Sequence, residues 1–134
     1  MSIKEAVRSY FAEQKNVLCV YLFGSAATGK ENKFSDIDIA VLFDELTPRK
    51  EYSRLILLMM DSLSAVLDRD VDIVVLNSAN SFLKFQIIKN GARIYERPDR
   101  RKRDFEAIAI IEYFDFLPVR EKLEAALISG IKGA

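Results

Sequence analysis

A chain of 134 residues, half of them apolar and nearly a third charged, has the makeup of one globular domain rather than of a disordered segment. Lys plus Arg and Asp plus Glu both number 20, so the net charge is zero and no global field draws the chain to nucleic acid or an anionic membrane. The absence of histidine and the single cysteine, Cys19, exclude His-ligated zinc, Ser-His-Asp triads, Cys-His dyads and an internal disulfide, leaving carboxylates, Lys, Tyr or water for any acid–base or metal chemistry.

The opening MSIKEAVRSYFAEQK has no apolar core of a secretory signal. Its Ser2-x-x-Glu5 spacing is a capping box, and Ile3, Val7, Tyr10 and Phe11 form one helical stripe behind it. Residues 16–23, NVLCVYLF, are a continuous apolar run of strand length, expected to be covered on both faces, with Cys19 as a small core residue. Residues 36–43 alternate: Ile37, Ile39, Val41 and Phe43 on one face, Asp36, Asp38, Ala40 and Leu42 on the other. They predict a second strand beside the first. Thr47-Pro48 reads as a helix start, followed by Tyr52, Leu55, Ile56, Met59, Leu63, Val66 and Leu67 at helical spacing. A turn at Asp68–Asp70 leads to a third strand, residues 71–76. Asn77-Ser78 is expected to cap a helix that Gly91 stops, and RIYE (93–96) to be a short edge strand. A helical region spans about residues 99–130, with Pro118 as a kink or break. No repeat or linker appears and no apolar run reaches the length of a membrane span. The order predicts a single α/β (α+β) domain over residues 1–134, a small mixed sheet flanked by helices, soluble and cytoplasmic.

Three carboxylates stand where strands prefer Val or Ile. Asp36 and Asp38 open the second strand, on one face and roughly 6.5–7 Å apart at the backbone, and Asp72 lies in the third. At an effective dielectric of about 20 the repulsion of the first two is on the order of 2–3 kcal/mol, which something must offset. A hard divalent cation, Mg²⁺ in particular, is held by a few carboxylates plus substrate phosphates. A small-residue turn opening on Gly24-Ser25 offers backbone N–H groups and a hydroxyl to phosphate oxygens. Taken singly, each part has a plain reading: a solvated strand end, Asp72 paired with Arg69 or Arg93, an ordinary turn. Jointly, Gly-Ser after an apolar strand, ten residues, Asp-Ile-Asp and a third Asp describe a metal–nucleotide site.

That stretch, LFGSAATGKENKFSDIDIAV, resembles the nucleotidyltransferases of the DNA polymerase beta type, and among them the small minimal nucleotidyltransferases. VDIVVLN and KNGARIYER are similar to the segments that follow in that family. RDFEAIAIIEYFDFLPVRE looks like the C-terminal helix of members that act as antitoxins beside a HEPN-domain toxin. The resemblance implies a nucleotidyltransferase fold, with Asp36, Asp38 and Asp72 as catalytic and metal residues binding two Mg²⁺ ions, and with ATP as substrate. Gly24, Ser25 and Lys30 would be the nucleotide-binding residues, and Gly29 would keep the loop compact. It also implies transfer of AMP to a hydroxyl, a tyrosine of the partner HEPN toxin. Two arginines common in relatives are replaced by Ala26 and Thr28, which leaves Lys30 as the nearest cation.

The basic run at residues 96–104 is read as a solvated face, with an anionic partner as the alternative. Phe105 to Leu117 is apolar around most of a helix, so one side of it is expected to meet another chain: the toxin or a second copy. Tyr113 is assigned to packing. No membrane contact and no direct nucleic-acid binding are expected. The rival functions are a non-catalytic antitoxin that works by covering its partner, and a nucleotidyltransferase acting on a small molecule such as an aminoglycoside. The second would be expected to carry an acceptor domain.

Overall fold

The computed structural model describes residues 2–24, 36–98 and 104–115, with single positions at 118, 121 and 125. Helix α1 (Ile3–Ala12) starts where expected, Ser2 Oγ accepting the Glu5 N–H at 3.1 Å. Strands β1 (Val17–Phe23) and β2 (Ile37–Phe43) follow, then helix α2 (Tyr52–Leu67), strand β3 (Val71–Val75), helix α3 (Ser81–Asn90) and strand β4 (Ala92–Glu96). Residues 104–115 form helix α4, and Pro118 is itself a helical position. The expected cap at Asp99, the basic residues 100–103 and the rest of the 99–130 region lie outside the described residues.

The four strands make one mixed sheet in the order β3-β2-β1-β4. β1 is antiparallel to both of its neighbours and β2 runs parallel to β3. RIYE is thus an edge strand, and the mixed sheet flanked by helices is the architecture expected from the sequence.

Both faces are covered, which is why β1 is apolar throughout. On one face Val20, Leu22, Ile37, Ile39, Val41 and Phe43 pack with Val7 and Phe11 of α1 and Met59 and Leu63 of α2. On the other, Cys19, Tyr21, Ala40 and Leu42 meet Leu76 and Ile87, with Phe105 of α4 at the side. A register irregularity between Val17 and Cys19 shifts the inward alternation, so that Val17 joins the first cluster and both Leu18 and Cys19 the second.

Three local expectations are corrected. Asn77 and Ser78 do not cap α3: they sit in a 3-10 turn, Leu76–Ser78, and the cap is Asn80, whose Oδ1 accepts the Leu83 N–H at 2.8 Å. Asn77 instead clamps β2, accepting the Phe43 N–H at 2.8 Å and donating to the Phe43 carbonyl at 3.0 Å. After Thr47-Pro48 the chain makes a 3-10 turn, Arg49–Glu51, before α2 begins at Tyr52. Gly91 does end α3, but in extended backbone (φ −75°). Its lack of a side chain answers to space, since a Cβ there would stand 2.5 Å from the Ile87 carbonyl oxygen and 3.1 Å from that of Leu22. Among the described residues no helix is long and apolar enough to cross a membrane.

Candidate active site

The parallel register of β2 on β3 sets Asp38 directly beside Asp72. Neighbouring strands are about 4.8 Å apart, and side chains opposite one another in register share a face. By alternation that face is the one carrying Ala40 and Leu42, under α3 and α4. Asp36 precedes β2 by one residue, two positions from Asp38 and so on the same side. Asp38 is half-buried, whereas Asp36 and Asp72 are exposed. The sheet therefore ends in a cluster of carboxylates at one corner of its α3 face.

Electrostatics agrees with the geometry. Burial first, then the Asp72 charge, then that of Asp36 hold the Asp38 carboxyl above the ordinary carboxylate range. Among the described residues no ion pair joins Asp72 to Arg69 or to Arg93. Arg93 is taken by Glu96 at 3.6 Å and by Glu106 at 3.3 Å.

On the other side of Asp38, β1 ends at Phe23, its antiparallel partner, and the chain turns at Gly24 with φ +67°. A Cβ at Gly24 would lie 2.5 Å from Asp38 Oδ2. Glycine is needed here twice, for the left-handed backbone and for the room the carboxylate occupies. Ser25, Gly29 and Lys30, with Ala26 and Thr28, lie outside the described residues.

Among the described residues no three His, Cys, Asp or Glu side chains close into a ready-made cation cage. The donor set is open and purely oxygen, which suits a hard cation that keeps waters and takes further ligands from a phosphate. The residues present fit Mg²⁺ on those grounds.

Two features escaped sequence reasoning. The first is a cavity of about 270 Å³ beside Gly24, lined by Phe23, Gly24, Leu83, Gln86, Ile87, Asn90 and Gly91. Its only sequence signal is the spacing of Gln86 and Asn90, four apart on a helix. The second is a link from β1 to α4: the buried Tyr21 hydroxyl donates to Glu106 Oε1, which also accepts from Arg93 Nη1 at 3.3 Å. Burial foremost, then Cys19 and the Glu106 hydrogen bond, push the Tyr21 phenol far above its ordinary range, so it remains a neutral donor.

A small mixed sheet with carboxylates in register at the mouth of two parallel strands, and a glycine turn held against one of them, defines the nucleotidyltransferase class of fold. Residues 5–100 match the family described as Polymerase beta, Nucleotidyltransferase, and the chain belongs to that family. It is 38% identical over 77 residues to the protein adenylyltransferase MntA of Shewanella oneidensis, a match that takes in 57% of this chain and 52% of the relative. The chain thus matches about half the length of that curated relative. Among solved structures it is similar to a toxin–antitoxin crystallised with AMP-PNP, with a TM-score of 0.73 and 25% identity over 96% of this chain and 99% of that one. It is also similar to a tri-AMPylated Shewanella oneidensis HEPN toxin in complex with MNT antitoxin, with a TM-score of 0.68 and 24% identity over 94% and 96% of the two chains. That second likeness bears on the fold alone.

Proposed function

We propose that this chain is a Mg²⁺-dependent nucleotidyltransferase that moves AMP from ATP to a tyrosine hydroxyl of a HEPN-domain toxin, and so acts in the cytoplasm as an antitoxin. The observation that carries the reading is the in-register pair Asp38–Asp72, flanked by Asp36 and pressed against Gly24. Three carboxylates at one corner of a sheet repel one another without an ionic partner, and that repulsion, from Asp72 and then Asp36, adds to burial in raising the Asp38 carboxyl. The likeness to a protein adenylyltransferase and to a toxin–antitoxin holding AMP-PNP supports the choice of nucleotide and partner.

Asp36, Asp38 and Asp72 are the residues that would hold two Mg²⁺ ions. When bound, the metal supplies neutralisation of the charge gathering on the α-phosphate and the departing pyrophosphate. Gly24 leaves its backbone close to the Asp38 carboxylate with no side chain between, and Ser25, with the amides near Gly24, would hold the β- and γ-phosphates, Lys30 being the nearest cation in the sequence. The acceptor oxygen bonds to the α-phosphorus, the bridging bond to the β-phosphate breaks, and pyrophosphate leaves. Asp72, exposed on the β3 side, takes the acceptor's proton. An added AMP brings bulk and negative charge to the toxin, which repels RNA phosphates from its nuclease site.

The test is intact-mass spectrometry of a HEPN-domain protein from the same genome after incubation with this chain and Mg·ATP. One or more added AMP units, absent with Asp36→Ala, is the expected result. A toxin that is bound and silenced with unchanged mass would overturn transfer and establish neutralisation by binding.

A further inference from the structure

We propose that the cavity beside Gly24 receives the nucleoside of the donor nucleotide, and that Gln86 and Asn90 select its base. This rests on the nucleotide-transfer reading above. The cavity opens on Gly24, whose missing side chain leaves the contact to Asp38 Oδ2, so a ligand there lies within reach of the carboxylates. Its lining of Phe23, Gly24, Leu83, Gln86, Ile87, Asn90 and Gly91 contains no charged residue. A phosphate chain would find no countercharge among these side chains, whereas a neutral planar ring finds an aromatic wall, aliphatic contacts and two carboxamides. At about 270 Å³ the space falls just under the roughly 300 Å³ of the smallest complete ligand pockets, which fits one part of a ligand whose remainder extends outside.

Position separates donor from acceptor. The cavity lies at the β1 end of the site, by Phe23 and Gly24, while Asp72 stands on β3 at the other side of Asp38. The carboxylate assigned to the acceptor's proton is thus across β2 from the cavity, and the donor occupies the near side. Asn90 Nδ2 donates to Gln86 Oε1 at 2.9 Å, an arrangement that holds the two amides together. It leaves a donor, Gln86 Nε2, and an acceptor, Asn90 Oδ1, uncommitted by that bond for a ligand. A donor beside an acceptor matches the N7 edge of adenine, where the N6 amino donor stands next to the N7 acceptor. Guanine shows two acceptors on the corresponding edge and matches poorly.

Calorimetric titrations of the full chain with Mg·AMP-PNP, Mg·GMP-PNP and Mg·tripolyphosphate test the proposal, on wild type and on Gln86→Leu and Asn90→Leu. Gln86→Glu, which replaces the donor by an acceptor at nearly the same shape, serves where a leucine variant does not fold. The wild type is expected to prefer AMP-PNP over GMP-PNP by about tenfold, the worth of a good pair of base contacts. The variants are expected to lose that preference and about tenfold in AMP-PNP affinity, while tripolyphosphate binds as before. Unchanged AMP-PNP affinity in the variants, equal wild-type affinity for AMP-PNP and tripolyphosphate, or a loss shared by tripolyphosphate would each overturn the subsite and leave the transfer reading standing. A wild type that binds neither nucleotide would overturn both.

Discussion

Gly24 and Asp38 fit closely, with no room for a side chain between them. Any side chain at position 24 meets the carboxylate at 2.5 Å and must also adopt φ +67°. Gly24→Ala is therefore expected to lower stability by about 1–2 kcal/mol through the left-handed backbone alone. By moving Asp38, it should also remove nucleotide transfer; urea denaturation and the intact-mass assay read the two effects. Asp38 carries a second consequence. Its carboxyl is raised in the fold by burial, Asp72 and Asp36, so the folded state holds that proton more tightly than the unfolded chain does. Between the ordinary carboxylate pKa and the raised one the unfolded state binds fewer protons, and stability falls as pH rises through that window. Asp38→Asn, neutral throughout, removes the loss: the variant should be the more stable protein at neutral pH, with the advantage shrinking towards about pH 4. Denaturation midpoints across that range check the sign, and an advantage that grows on acidification would contradict it.

At the scale of elements, the pairing of β2 with β3 makes the site, and β1 with α4 makes its support. Asp in two strands that otherwise want Val and Ile foreshadowed carboxylates on one sheet face, but not that β2 and β3 pair in parallel with Asp38 beside Asp72. The Tyr21–Glu106 contact was invisible in the sequence, since its partners are 85 residues apart and Tyr21 reads as one more apolar strand residue. Tyr21→Phe leaves Glu106 without that donor, at an expected cost of about 1–3 kcal/mol. Amide exchange should quicken over residues 104–115 more than in β1. Equal acceleration in both would show that α4 is held by packing instead. Asn77 was misplaced for a related reason: Asn and Ser are good caps wherever they stand, so Asn77-Ser78 and Asn80 competed for one helix start. Only the tertiary hydrogen bonds to Phe43 decided between them.

For the whole molecule, alternation in β2 and the unbroken apolar run of β1 were enough to foresee a sheet covered on both faces, and the spacing from Gly24 to Asp38 was what pointed to the chemistry proposed here. The cavity beside Gly24 was not legible, because its walls come from the end of β1, the inner side of α3 and the entry to β4, and only the folded chain brings these together. What unites the parts is a sheet corner loaded with negative charge that a divalent cation and a triphosphate would complete. Calorimetric titration with AMP-PNP, with and without Mg²⁺, on wild type and Asp72→Asn, measures this directly. Binding in the wild type should depend on Mg²⁺, and Asp72→Asn should lose at least about tenfold of the Mg²⁺-dependent affinity, as metal sites do when a supporting group is removed. Equal AMP-PNP affinity with and without the metal would contradict a cation held by Asp36, Asp38 and Asp72.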